Sequence, residues 1–345
     1  MPGAGMWGVV VLAATPLFEQ GVRPLRDVTP PAEVGSLSAR ACGGCHVAEA
    51  TQWAGSRHAQ AFTNPLFTAS FGRKPQAWCV HCHAPLPEQL KLVREKAEPE
   101  RTLLAEGVTC AACHVRGGEI LSSRAPSPAA LSAHPVRQEP TLGTSEACGG
   151  CHQFNMPVFG ARPFRYSDTP MQSTLEEWRH SRAAAQGVSC QGCHMPQGSH
   201  AFPGVHTPGF VAESLAVSFT REGPRLVAEV RATGAGHRVP TGDPFRRLWL
   251  SLCREPACTQ PLASHLLMRR FYARESDWVL GEDSAVPVET DAEAPVRRLE
   301  FKLPRPLPKV LYWRLDYLLA EVELEKLVPV EQRRIPLRQG SFSPR

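Results

Sequence analysis

The sequence predicts a mainly α, loop-rich domain followed by an antiparallel β-sandwich domain, on three observations. A Cys-x-x-Cys-His pattern recurs five times between Cys42 and His194 and then stops. After Gly209 the chain changes to short apolar alternations separated by Gly/Pro turns. Thirty-three prolines and only 7% aromatic residues suit a chain rich in loops. A length of 345 residues agrees with two domains.

The five motifs are Cys42-Gly-Gly-Cys45-His46, Cys79-Val-His-Cys82-His83, Cys110-Ala-Ala-Cys113-His114, Cys148-Gly-Gly-Cys151-His152 and Cys190-Gln-Gly-Cys193-His194. They use ten of the twelve cysteines, where composition alone yields about 0.02 matches. Two thiols at this spacing can add to the two vinyl groups of one haem, and the following histidine meets the iron as its proximal ligand. Zinc or disulfide chemistry needs no histidine directly after each cysteine pair. The pattern therefore predicts five covalent c-type haems, and a core that is partly porphyrin.

Haem changes the meaning of the charge. The protein alone is +5. A ferric haem with both propionates ionised carries −1 and a ferrous one −2, so five haems bring the total to about 0 oxidised and about −5 reduced. No nucleic-acid partner follows from the basic composition. Thioether attachment takes place outside the bacterial cytoplasm, so an export signal is expected. Met6 to Phe18 is the candidate, an apolar run of signal-peptide length, although Met1 to Gly5 lacks Lys or Arg. The expected plan is a signal segment at 1–20, a linker at 21–40, a five-haem domain at 41–209 and the β domain at 210–345. The mature protein is expected in the periplasm or outside the cell.

His46 to Phe62 has no proline and reads as a helix with a weak point at Gly55. His58 lies about 18 Å along such a helix from His46, so as a ligand it would serve a neighbouring iron. Glu98 to Ala105 reads as a short helix. Gly117 to Pro140 reads as a loop that carries His134 towards a haem face. His81, inside its own motif loop, is read as a non-ligand. His200 and His206 follow the last motif. Six residues span at most about 20 Å, so His200 is expected on an iron other than that of His194.

Two motif segments echo each other. Ala41-Cys-Gly-Gly-Cys-His46 recurs as Ala147-Cys-Gly-Gly-Cys-His152, and Gly107-Val-Thr-Cys-Ala-Ala-Cys-His114 as Gly187-Val-Ser-Cys-Gln-Gly-Cys-His194. A looser echo sets Trp53-Ala-Gly-Ser-Arg-His58-Ala59 against Trp178-Arg-His-Ser-Arg-Ala183-Ala184, so that Ala183 stands where His58 would fall. A duplicated unit, with the Cys79 motif inserted in its first half, is expected.

In the second domain, strands are expected at Val211 to Thr220, Leu226 to Thr233, Phe245 to Cys253 and Val310 to Tyr317, with a short helix at Leu318 to Leu327. Cys253 and Cys258 flank a loop of hairpin length and are predicted to pair. The glycines of Gly234-Ala-Gly-His237-Arg-Val-Pro-Thr-Gly242 permit tight turns, and His237 is a candidate to reach back to a haem. His265 is read as structural.

Several stretches together resemble the multihaem c-type cytochromes of the cytochrome c-554 family, including members with an added β domain. They are the Cys42 motif with Trp53-x-x-Ser-x-His58-Ala, Cys79-x-x-Cys-His-Ala-Pro-Leu86, Gly107-Val-Thr-Cys-x-x-Cys-His114 and Cys148-Gly-Gly-Cys-His-Gln-Phe154. Glu177-Trp178-x-x-Ser181, Cys190-x-x-Cys-His-Met-Pro196, His200-x-Phe-Pro-Gly-x-His206 and Gly236-His-x-x-Pro-Thr-Gly242 add to it. The resemblance implies closely stacked, mostly bis-histidine haems that relay electrons, of which one can lack a distal ligand. By position it assigns His58, His134, His200, His206 and His237 as distal ligands.

Electron transfer is therefore the expected function, because iron saturated by two histidines exchanges electrons without binding substrate. The expected partners are other redox proteins or a membrane respiratory complex. The alternative is a haem redox enzyme with one open iron acting on a small nitrogen or sulfur compound. No CxxCK variant is present. A third possibility is self-assembly or docking through the β domain.

Overall fold

Short helices that begin beside a hydroxyl carry the haem motifs. Ser38, Thr109 and Ser189 each accept a backbone N–H through their side chains, capping helices Ala39–Gly43, Cys110–His114 and Cys190–His194. The other two motifs lie in helices Ala77–His83 and Glu146–His152. Cysteines three apart on one turn share a face, the presentation two vinyl groups need. This arrangement comes from a computed structural model, which describes residues 25–344 apart from 100–101, 159–164, 276, 291–293, 304–305, 307, 321 and 325. The expected signal segment lies outside the described residues.

The looser echo proves to be one structural unit built twice. The Trp53 indole donates to Val108 O at 2.8 Å, and the Trp178 indole donates to Val188 O at 2.8 Å. Val108 N donates to His58 O and Val188 N to Ala183 O, both at 2.9 Å. Ser56 and Ser181 each accept through Oγ from the backbone N–H three residues on, at 3.3 Å. Gly107 and Gly187 turn into these contacts with positive φ. Residues 58 and 183 therefore occupy equivalent places.

Around the motifs the chain is less helical than expected. The stretch read as a helix from His46 to Phe62 is helical only over Val47–Ala54 and breaks at Gly55, so His58 sits in the turns that follow. In the segment before Cys110 the described residues Leu103–Glu106 form a 3-10 turn rather than an α-helix. The expected loop from Gly117 holds β2 (Glu119–Ser122), helix Pro128–Ala133 and β3 (Val136–Gln138), which join β1 (Val115–Arg116) in a small sheet. A second ribbon pairs β4 (Gln153–Pro157) with β5 (Tyr166–Ser173). The stretch read as a linker lies against this region: Leu25 and Val28 pack beside Leu37, Leu86, Ala111 and Ala112.

The C-terminal half is two antiparallel sheets with one core. The larger has the order β10 (Asp277–Asp283), β9 (Ala263–Arg274), β8 (Arg247–Cys253), β12 (Leu311–Leu318), β13 (Arg334–Phe342). The smaller has the order β11 (Val296–Phe301), β7 (Arg225–Ala232), β6 (Leu215–Glu222). Leu215, Leu226, Val230 and Phe301 of one meet Leu248, Leu250, Leu267 and Leu315 of the other. Each such leucine contributes about 1.5–3 kcal/mol on burial. β6 starts at Leu215 rather than Val211, because Gly209 opens a helical turn, Phe210–Glu213. In the stretch expected as a helix from Leu318, the described residues show the 3-10 turn Val322–Leu324 and no α-helix. Cys253 and Cys258 form the expected disulfide in the β8–β9 connection, with Cα atoms 5.2 Å apart. No described helix is long and apolar enough to cross a membrane.

Polar bonds tie this half to the repeated unit. Glu177 accepts from Ser173 Oγ and Thr241 Oγ1 at 2.7 Å each and from Arg238 N at 3.2 Å. Arg182 pairs with Glu289 at 2.6 Å. These bonds hold the Gly234–Gly242 loop, and with it His237, against the second unit.

Candidate haem sites

Four histidines outside the motifs stand opposite four motif histidines. Ring centroids are 6.5 Å apart for His46 and His134, and 6.5 Å for His58 and His152. They are 6.2 Å apart for His114 and His200, and 6.2 Å for His194 and His237, the last pair within 10° of parallel. Two imidazoles bound to one iron, with metal–nitrogen bonds of about 2 Å, place their centroids about 6.3 Å apart. The rings are thus too far apart to touch and correctly spaced for one metal atom between them.

The hydrogen bonds select the tautomer an iron needs. Nδ1 of His83, His114 and His194 lies 2.7, 2.8 and 2.7 Å from the carbonyl oxygens of Ala61, Leu121 and Pro203. A carbonyl only accepts, so Nδ1 carries the proton and Nε2 keeps its lone pair. His237 Nδ1 is held in the same way by Arg238 O at 3.0 Å. Burial, helped by neighbouring histidines, pushes His58 and His152 down to about 4, which keeps both neutral. His134 and His200 each leave a buried Nδ1 with no partner among the described residues. The ring positions, tautomers and paired thiols all fit c-type haem.

The motifs touch one another in a definite order. The thiols of Cys42 and Cys110 are close enough to shift each other's titration, as are those of Cys148 and Cys190 and those of Cys82 and Cys151. Cys113 lies within electrostatic reach of Cys151. The Cys148–His152 motif consequently lies beside those of Cys190 and Cys82 and within electrostatic reach of that of Cys113.

His83 differs from the other motif histidines. No second histidine ring faces it among the described residues; Phe67 stacks on it instead, with centroids 3.9 Å apart and planes 18° off parallel. It opens on a cavity of about 160 Å³, which Cys79, Cys82, Phe67, Asp243 and Arg246 also line. His206, expected as a distal ligand, stands opposite none of the motif histidines; its Nδ1 is 2.6 Å from Arg57 Nη2. His265 is bonded through Nε2 to Glu300 O at 2.9 Å and packs edge-on against Phe301, as a structural residue does. Nothing in the sequence pointed to Phe67 or Arg246, which belong to no motif, and Arg57 lies within the Trp53–Ala59 stretch without a role being read for it.

Residues 41–115 match the family described as cytochrome c554 and c-prime. In fold the chain is similar to a penta-heme cytochrome c552 from Thermochromatium tepidum, with a TM-score of 0.66 at 20% identity, covering 91% of this chain and 100% of that one. No curated protein matches the sequence.

Proposed function

We propose that this multihaem c-type cytochrome carries five covalent haems, outside the cytoplasm, and relays electrons between other redox proteins. The observation that carries the reading is the set of four imidazole pairs at 6.2–6.5 Å. When bound, haem supplies a one-electron ferric/ferrous couple. The paired imidazoles of His46 and His134, His58 and His152, His114 and His200, and His194 and His237 would hold an iron between them and leave it no place for substrate. The carbonyls on Nδ1 orient the rings and raise their basicity, which favours the ferric state.

The thiol contacts support a line of neighbours running His46, His114, His152, His194, with the His83 motif branching from His152. Electrons entering at either end of the line would reach His83 through His152. Intact-mass measurement of the mature protein should show an increment of five haems, and an increment of four or fewer overturns the count.

A second reading, a haem redox enzyme for a small nitrogen or sulfur compound, is favoured by His83, which faces a cavity and, among the described residues, no histidine. Carbon monoxide added to the reduced protein should bind rapidly at one iron. Turnover of hydroxylamine or nitrite at that iron would establish catalysis, and absence of any rapid binding would exclude an open site.

A further inference from the structure

His206 is held in the opposite tautomer to the ligand histidines. A guanidinium only donates, so at 2.6 Å from Arg57 Nη2 the His206 Nδ1 must accept. In neutral imidazole the proton is then on Nε2, which cannot bind iron in that state and is free to donate. Arg57 is otherwise bonded to the neutral Gln60 Oε1 at 2.9 Å. Arg246, in the wall of the His83 cavity, donates only to Leu319 O at 3.0 Å. No carboxylate lies within ion-pair distance of either guanidinium among the described residues. Asp243 also lines the cavity, and its Oδ1 accepts the Phe245 N–H at 2.9 Å. The charges of Arg57 and Arg246 act on each other and on His206. Two cations and an N–H donor have gathered with Asp243 the nearby carboxylate in the cavity wall and no ion pair formed to it among the described residues, and the charge-assisted bonds they can make are the strong ones.

We propose that Arg57, His206 and Arg246, the last in the wall of the His83 cavity, form an anion-binding cluster that takes a carboxylate or a small oxyanion. Two sources share that chemistry: a propionate of the haem held by Cys79 and Cys82, and a free oxyanion approaching the iron. The inference rests on the reading that His206 does not ligate that iron.

The test uses the haem-loaded protein and nitrite as probe, at low ionic strength. Arg246→Gln and Arg57→Gln are compared with wild type and with Arg246→Lys, which keeps the charge. If the anion is a free oxyanion, the nitrite concentration for half-maximal change in the ferric spectrum rises about tenfold in each Gln variant and recovers in the Lys variant. If it is a propionate, nitrite affinity stays constant and the potential of the His83 haem falls in the Gln variants. Unchanged affinity and unchanged potential in both Gln variants overturn the cluster. So does a new high-spin haem in His206→Asn that wild type lacks, because it would make His206 a ligand. Carbon monoxide binding to the wild type reports the open iron separately, so the cluster can fail while that reading stands.

Discussion

The two repeats share a frame and differ at one side chain. In the first, the turn after Trp53 presents His58 to His152. In the second, the turn after Trp178 presents only the Ala183 methyl, and Gly236 packs over it: a Cβ on Gly236 would stand 3.2 Å from Ala183 Cβ. Next to Gly236 is His237, which faces His194. Where the first unit projects a histidine towards its successor, the second presents a methyl group and receives a loop of the β domain. The comparison teaches that the repeat supplies geometry, whereas the ligand set depends on what packs against each copy.

Removing the histidine from the first copy should have the largest effect. His58→Ala makes it resemble the second without supplying a covering loop. One low-spin haem should become high-spin and bind carbon monoxide, and His58→Met should instead raise the potential of one haem. An unchanged redox titration and spin state would show that His58 serves no iron. The reverse exchange, Ala183→His, puts an imidazole where Gly236 packs. It should displace the loop and convert the His194 haem to high spin, and an unaltered spectrum would mean that this contact does not position His237.

The glycines give a graded effect. At Gly107 a Cβ would stand 2.5 Å from His58 O, whereas at Gly187 nothing lies within 4 Å, although both have positive φ. Gly187→Ala should therefore cost only the backbone strain, about 1 kcal/mol, and Gly107→Ala about 3 kcal/mol or more, read from denaturant midpoints. Equal losses would mean that the His58 turn yields easily. Smallest and most alike should be Trp53→Phe and Trp178→Phe, each losing one indole–carbonyl bond worth about 1 kcal/mol.

The sequence showed much of this plan because haem attachment is local. Five thiol pairs with adjacent histidines need no tertiary information, and the paired Gly-Val-Thr/Ser-Cys segments marked the repeat. His58, His134, His200 and His237 each face a motif histidine. His206 sits beside a motif in sequence, but its tautomer is set by Arg57, far away in the chain. The strands β8 and β12 were visible because they are central, with Leu248, Leu250, Leu252, Leu311 and Leu315 buried. The strands β9, β10, β11 and β13 escaped notice, since β10, β11 and β13 are edges and all four mix Arg, Glu or Asp into the alternation. The 3-10 turns replaced expected helices where too few residues share a buried face to sustain one.

The most direct test of the account is a count of iron spin states in the ferric, haem-loaded protein at low temperature, by electron paramagnetic resonance with Mössbauer spectroscopy of iron-57-enriched protein. Four low-spin irons and one high-spin iron are expected, the high-spin one belonging to the Cys79–His83 motif. Five low-spin irons, or a second high-spin iron in the wild type, would contradict it.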